Sequence, residues 1–308
     1  MRMTGNWTRK ARAMAAIGLA AMAAGAASSS ASAQSVAFIE QVGDRNETSI
    51  TQRGENNSAG VIIKGSDNGA GVVSSQTRSL VAYNRQSFFG VTLPITSPRS
   101  GPATSTLTTP ELESGVVNQN GKGNVARVSI FGDQNQYHVT QNGNYNAAVQ
   151  AVRGADNQVG AVQTAVGTSA NLAVQAQAGN ANSAIALQNG ANNVAVQLQG
   201  GGGAAILGAA VKIGAVSANA LAANLGAANS AEVSLSGMSG GSGNVSLLEQ
   251  NGDNNSALLV QAGNNNSIAL RQPGNSYASV TQLGNGHTIG IDQRAGTMGT
   301  SPISITQY

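Results

Sequence analysis

Gln250-Asn251-Gly252-Asp253-Asn254-Asn255-Ser256-Ala257-Leu258-Leu259-Val260-Gln261 is the stretch whose reading decides the fold. From Asn255, two-residue steps land on Ala257, Leu259 and Gln261. A period of two is the strand signature, with one set of side chains turned inwards. The residues after each Gln then make the reversal, with Gly at the second position, where positive φ or close backbone approach costs no steric clash. Strand and reversal together fill eleven residues, and Gln261 at once opens another copy.

The pattern Gln-x-Gly-x-x-Asn recurs along the chain. Full copies begin at Gln41, Gln52, Gln119, Gln141, Gln177, Gln188, Gln250 and Gln261. Their turn glycines are Gly43, Gly54, Gly121, Gly143, Gly179, Gly190, Gly252 and Gly263, and they close on Asn46, Asn57, Asn124, Asn146, Asn182, Asn193, Asn255 and Asn266. Weaker copies keep the phase at Gly65/Asn68, Gly132/Asn135 and Gly154/Asn157, and a late copy puts His287 where Asn belongs. A fixed internal period signals stacked units, each covering its neighbour's open face. Two strand-and-reversal units make one turn of about 22 residues, with successive turns roughly 4.8 Å apart. Thirteen recognisable units predict six or seven turns. The expected fold is all-β: a two-sheet β-solenoid of stacked strand–turn–strand units, interrupted by Pro-rich and Gly/Ala-rich segments. Asn above Asn and Gln above Gln would join their amides into ladders, which satisfies groups that are costly to bury alone. Small inward residues such as Ala59, Ala148, Ala184, Ala195 and Ala257 would let the sheets approach closely.

Composition divides the chain into parts. Residues 1–33 read as an export signal: Arg2, Arg9, Lys10 and Arg12, an Ala-rich apolar run over 13–27, then Ala31-Ser32-Ala33 as a small-x-small cleavage site. Repeat blocks follow at 34–76, 116–202 and 244–308, the last with a C-terminal strand. Residues 77–115 hold Pro94, Pro98, Pro102 and Pro110, four of the six prolines. Proline is excluded from central strands, so this stretch is expected to be an insertion or loop, with Phe88, Phe89, Val91 and Leu93 as a local apolar group. Residues 203–243 are Gly/Ala-rich; decayed repeats, as at Asn224–Asn229, compete there with an Ala-rich helix over 204–228.

Losing the leader changes the charge from 16 basic against 13 acidic residues to 12 against 13. The basic balance thus belongs mostly to the leader and gives no support to nucleic-acid binding. There is no cysteine, so an exported chain must hold itself together by burial and hydrogen bonding. Charges gather between motif Gly and Asn: Asp44, Arg45, Glu55, Asp67, Lys122, Asp133, Asp156 and Asp253. At turn tips they are either simply solvated or hinder uncontrolled stacking by like-charge repulsion.

Chemistry is not found. His138 and His287 are the only histidines, both within repeats, with no nucleophile or carboxylate arrangement beside them. No zinc spacing or phosphate loop is present. Gly240-Gly241-Ser242-Gly243-Asn244 distantly resembles calcium-binding nonapeptide repeats, but those recur every nine residues and the beat here is eleven. No catalytic, cofactor or metal residue is assigned, and no enzyme is expected.

The spacing Gln-x-Gly-x-x-Asn-x-Ala-x-x-x-Gln, clearest over Gln250–Gln261, closely resembles the curlin repeat, and Ile305-Thr306-Gln307-Tyr308 resembles the end of a curlin subunit. Curlins are the subunits of curli, extracellular amyloid fibres of bacterial biofilms. The resemblance implies a two-sheet β-solenoid, passage through the periplasm and a dedicated outer-membrane secretion pore, and end-to-end homopolymerisation on a nucleating minor curlin. It implies ladder roles for the sixteen motif Gln and Asn residues named above. The chain departs from compact five-repeat curlins in its length and its two interrupting segments, and Ile130 and Val152 stand where Gln is expected. The expectation is a secreted fibre subunit for adhesion and biofilm matrix. The alternative is a monomeric β-solenoid adhesin or surface-layer protein that binds through its loops, with 77–115 as the functional one.

Overall fold

The computed structural model of the chain describes residues 34–83, 105–165, 170–200, 241–293 and 303–308. The leader, the group at 88–93 and the disputed 204–228 stretch lie outside them. Among the described residues there are 21 strands and no helix. The first block gives β1 (Val36–Val42), β2 (Ser49–Arg53) and β3 (Ser58–Lys64). Then come β4 (Val72–Val73), β5 (Thr77–Tyr83), β6 (Ser105–Thr108) and β7 (Leu112–Glu113). The second block gives β8 (Val116–Asn120), β9 (Val125–Phe131), β10 (Gln136–Asn142), β11 (Ala147–Arg153), β12 (Gln158–Thr164), β13 (Leu172–Ala178), β14 (Ser183–Asn189) and β15 (Val194–Gly200). The third gives β16 (Val245–Asn251), β17 (Ser256–Ala262), β18 (Ser267–Gln272), β19 (Tyr277–Leu283), β20 (Thr288–Gln293) and β21 (Ile303–Gln307).

Strands alternate between two parallel sheets. Sheet A runs β1-β3-β9-β11-β13-β15-β17-β19-β21, and sheet B runs β2-β8-β10-β12-β14-β16-β18-β20 before ending on β5 and β6. The result is one continuous β-solenoid of about nine turns, roughly 40 Å long at the strand spacing. The count exceeds the six or seven read from the motif, because the arcs that lead from Gln163 to Asn171, from Gln199 to Asn244 and from Gln272 to Ser276 lack the motif's spacing yet keep their places in the stack.

Register shows how the interruptions are absorbed. Gln119 sits one turn below Gln52 and Gln141 one turn below Gln119, although 67 residues separate the first pair and 22 the second. The chain leaves the stack at Gly69 and rejoins it at Gly115, whose N–H groups both join the next turn through Asn135 O and Tyr137 O at 2.8 Å. Likewise β14 pairs directly with β16, and Gly241 N–H donates to Ala178 O at 3.1 Å, so the third block continues where the second stops. A segment that departs and returns at one point of a turn costs only loop closure, which grows slowly with length.

The core lies between the sheets as columns of like residues. One column in sheet A reads Ala37, Ala59, Ala126, Ala148, Ala173, Ala195, Ala257, Ala278 and Ile303. Such small side chains bring sheet B close enough for Val139, Leu248 and Leu270 to fill the remaining space, all fully buried. The outer face of sheet A carries a second apolar cluster around Val149, Val174, Val196 and Leu198.

Candidate functional site: amide ladders and the ends of the stack

Gln52, Gln119, Gln141, Gln188 and Gln250 stand in sheet B with Gln163, Gln272 and Gln293 as one unbroken column. Each Nε2 donates to the Oε1 of the next Gln, at 2.8 Å for Gln52→Gln119, 2.9 Å for Gln188→Gln250 and 3.2 Å for Gln272→Gln293. The second hydrogen of the amide reaches across to sheet A, as in Gln141 Nε2→Val125 O at 2.9 Å. Sheet A has a shorter column in which Gln177, Gln199, Gln261, Gln282 and Gln307 are linked at 2.7–3.0 Å. Gln41 shares its register but is separated from Gln177 by Ile63, Ile130 and Val152, and donates instead to Thr48 Oγ1 at 2.7 Å. Where the run begins below Val152, Gln177 Oε1 is buried without a partner.

The asparagines form two further columns, one at each hairpin of the coil. Asn46, Asn68, Asn135, Asn157, Asn182, Asn244 and Asn266 line one, and Asn57, Asn124, Asn146, Asn171, Asn193 and Asn255 the other. Each Oδ1 accepts the backbone N–H of the Asn one turn below, as at Asn124 N→Asn57 Oδ1, 3.0 Å. Nδ2 commonly donates to the turn-glycine carbonyl of the next turn, as in Asn124→Gly143 O at 2.8 Å and Asn135→Gly154 O at 2.8 Å. This explains the fixed offset between Gly and Asn in the motif: the Asn of one turn reads the Gly of the next. His287 ends its column with its N–H on Asn266 Oδ1 at 3.1 Å, a backbone role that any residue fills.

Two ladders were not read from the motif. Gln150, Gln175 and Gln197 point into the middle of the core, where the column otherwise holds Val61, Val128, Leu259 and Val280. They join at 3.0 and 2.8 Å and donate across to sheet B carbonyls, including His138 O, Gly160 O and Ile185 O. Their signal was present as Ala-Val-Gln recurring at 148–150, 173–175 and 195–197. The second lies outside, one residue after the turn glycine: Asp133 Oδ1 accepts Ser66 N–H at 2.7 Å, and Asn144 Oδ1 accepts Lys122 N–H at 2.9 Å. Tip charges pair with opposite sign across neighbouring turns in two places, Arg45 with Asp67 and Lys122 with Glu55 (3.6 Å). There they attract rather than repel.

Among the described residues, no three or more His, Asp or Glu side chains gather as a metal-holding group. His138 is buried on the outer face of sheet B, with Nδ1–H donating to Glu113 O at 2.8 Å and Nε2 accepting from Thr140 Oγ1 at 2.7 Å. Burial lowers its pKa below the ordinary imidazole value, partly opposed by the Glu113 carbonyl and carboxylate. The unfolded chain therefore binds more protons, so this stabilisation is complete above about pH 6.5 and is lost as pH falls through the folded pKa. Protection factors of the Leu112 and Glu113 amides, corrected for the intrinsic pH dependence of hydrogen exchange, are expected to be lower at pH 5 than at pH 7.5, and a His138→Gln variant should lose most of that difference.

The two ends of the stack differ. At the N-terminal end β1 and β2 are edge strands, and Val36, Phe38, Ile39 and Val42 are 44–56% exposed. At the other end sheet A stops at β21, while sheet B continues from β20 onto β5. A model of the curlin associated repeat family matches the chain at residues 37–74 and 241–274. Searches found no curated protein and no solved structure that matches. With stacked arcs and Gln and Asn columns at motif positions, this match in two separate blocks shows that the chain carries curlin associated repeats.

Proposed function

We propose that the chain is a secreted structural subunit that stacks end to end into extracellular amyloid fibres of the curli type, serving adhesion and biofilm matrix. The observation that carries this is the match between the two ends of the coil. If a second copy continued the winding, Ala37, Ile39 and Gln41 of its β1 would follow Ile303, Ile305 and Gln307, and Ile50 and Gln52 of its β2 would follow Ile291 and Gln293. Ile meets Ile and Gln meets Gln in both sheets, so these aliphatic columns and the two Gln columns pass from one molecule to the next. Exposed strand edges with matched side chains favour such addition. Partners on this reading are further copies of the chain. A nucleating minor curlin and an outer-membrane pore reached through the periplasm are further parts of the proposal, drawn from family resemblance.

The chain from Gln34, incubated alone at micromolar concentration, is expected to form fibres with meridional diffraction near 4.7–4.8 Å. Replacing Gln250, Asn255, Gln261 and Asn266 together by Ala should slow assembly and lower fibre resistance to denaturant. Persistent monomer with coil-like circular dichroism would defeat the reading.

The second reading, a monomeric adhesin with a capped stack, is favoured by one observation: β5 already sits beyond β20. Deleting the segment between Gly69 and Gly115 separates the two, since fibre formation survives the deletion in the first case and surface binding is lost in the second.

A further inference from the structure

The segment between Gly69 and Gly115 does not hang free of the solenoid. Its described parts form a strap along the outer face of sheet B, across successive turns. At its root β7 meets β10, where Glu113 O accepts from His138. Ser74 N–H then donates to Gln158 Oε1 of β12 at 3.2 Å, and Val73 and Leu112 lie over Gly160, where a Cβ would come within 2.9 Å of Leu112 Cδ1. Val73, Leu80 and Leu107, none more than 1% exposed, pack with Ile185 of β14, Leu247 of β16 and Ala269 of β18. Arg78 Nε donates to Ser267 Oγ at 3.0 Å, and Arg271 Nη2 to Thr106 O at 2.9 Å. At the last turn Ser105 Oγ donates to Asp292 Oδ2 at 3.1 Å, and the Ser79 carbonyl presses against the bare Cα of Gly290. From β10 to β20 the strap covers roughly 24 Å of the axis.

Its far end takes a particular place. β5 pairs with β20 in parallel, Val81 with Ile291, Ala82 with Asp292 and Tyr83 with Gln293. Within the stack each sheet B strand pairs in parallel with the one before it, and Ile50 and Gln52 occupy the columns of Ile291 and Gln293. Val81 and Tyr83 therefore stand at the positions that Ile50 and Gln52 of a second copy would need. β6 holds the first half of β5 in place by antiparallel pairing, Thr77 with Thr108 through Leu80 with Ser105.

We propose that β5 is an internal substitute for the next molecule's β2, so that the strap keeps the C-terminal end of sheet B closed and competes with a second copy of the chain for that edge. The proposal rests on the end-to-end reading above. Every junction between copies uses one N-terminal and one C-terminal end, so closing one kind restrains all of them. With β5 in place a second copy finds only the β21 edge of sheet A; with β5 released it finds both sheets. The strap thus sets the fraction of molecules competent to add, and apparent affinity for the next copy falls by that fraction.

The test uses the full mature chain in seeded elongation followed by electron microscopy. The chain has no cysteine, so Ser105→Cys with Asp292→Cys introduces a single pair of thiols where the strap meets β20. The oxidised form should fail to elongate and the reduced form should elongate like the parent. Leu107→Asp, which unseats the strap without touching β20, should elongate at least about threefold faster by raising the competent fraction. Equal elongation by the oxidised and reduced forms, with the disulfide verified by mass spectrometry, overturns the proposal and leaves the fibre reading intact. If the thiols do not join, unchanged elongation of Leu107→Asp overturns it just as well. Absence of fibres in every form, parent included, defeats the end-to-end reading, and the strap's role falls with it.

Discussion

Gly132→Ala is expected to lower the stability of the solenoid by roughly 3–5 kcal/mol, among the larger effects of one methyl group. Gly132 has φ +131°, a conformation that residues with a Cβ rarely adopt. Conformation alone does not set the size of the effect. A Cβ at this position would lie 2.0 Å from Gly154 O, the carbonyl of the turn glycine one turn further on. That carbonyl cannot retreat cheaply, because it accepts Asn135 Nδ2 at 2.8 Å, and Gly154 N–H in turn donates to Phe131 O at 2.9 Å. The methyl group must therefore separate two turns and break an Asn rung with them. Gly286→Ala supplies the comparison: φ is +73° there, but nothing lies within 4 Å of the added Cβ. It should cost only the conformational part, about 1 kcal/mol. Urea titration of the two monomeric variants by circular dichroism separates the contributions. Equal midpoints would mean that the spacing between turns, and not the glycine, gives way.

The β-solenoid was legible in Gln250–Gln261 because two periods meet there, two for the strand and eleven for the unit, and together they leave little choice of fold. The number of turns was less legible, because the arcs from Gln163 to Asn171, from Gln199 to Asn244 and from Gln272 to Ser276 break the spacing of the motif. Loss of the Gln alone did not hide a unit. Ile63, Ile130 and Val152 keep their places in a Gln column while erasing the letter that marks it. A stack accepts either residue there, since an aliphatic side chain needs no partner and an amide needs only an amide beside it. Gln150, Gln175 and Gln197 escaped notice for the converse reason: they occupy positions where the pattern asks for Val or Leu. The strap was legible only as an interruption. Four prolines argued against central strands, and three of them, Pro94, Pro98 and Pro102, lie outside the described residues, while Pro110 falls between β6 and β7. The strands of this stretch avoid proline and pair where it does not interfere. Nothing in Thr77–Tyr83 names its partner, because Arg78 and Ser267 are 189 residues apart and no repeat phase connects them. Contacts set by the period could be read along the chain; contacts set by tertiary packing alone could not.

The interior Gln run supplies the second large effect. Gln175 is fully buried; Nε2 donates to Gly160 O at 2.9 Å, Ala184 O at 3.1 Å and Gln197 Oε1 at 2.8 Å, and Oε1 accepts from Gln150 at 3.0 Å. Gln175→Glu keeps the size and removes the donor. An ionised carboxylate would then face three acceptors in a dry core, so a loss of about 4 kcal/mol is expected at pH 7. Burial would raise the folded pKa of this carboxyl above its unfolded value near 4.3. The penalty is therefore smallest below about pH 4 and grows as pH rises through the folded value, since only the protonated acid can donate. Gln175→Leu should cost less, about 1–3 kcal/mol, because Val128 and Leu259 show that the column takes aliphatic side chains and the loss is confined to the severed amide links. Both variants probe what the run contributes beyond stability. A slip of one turn would set Gln150 beside an aliphatic side chain and leave a second amide oxygen unpaired, where now only Gln150 Oε1 at the head of the run has no partner. The interior amides thus count the turns, a property that uniform columns of Ala or Val do not have. Denaturant titrations from pH 4 to 8 should show Gln175→Glu losing stability with rising pH while Gln175→Leu tracks the parent. A flat difference between the two would mean that the site is wet and that these amides do not set the register.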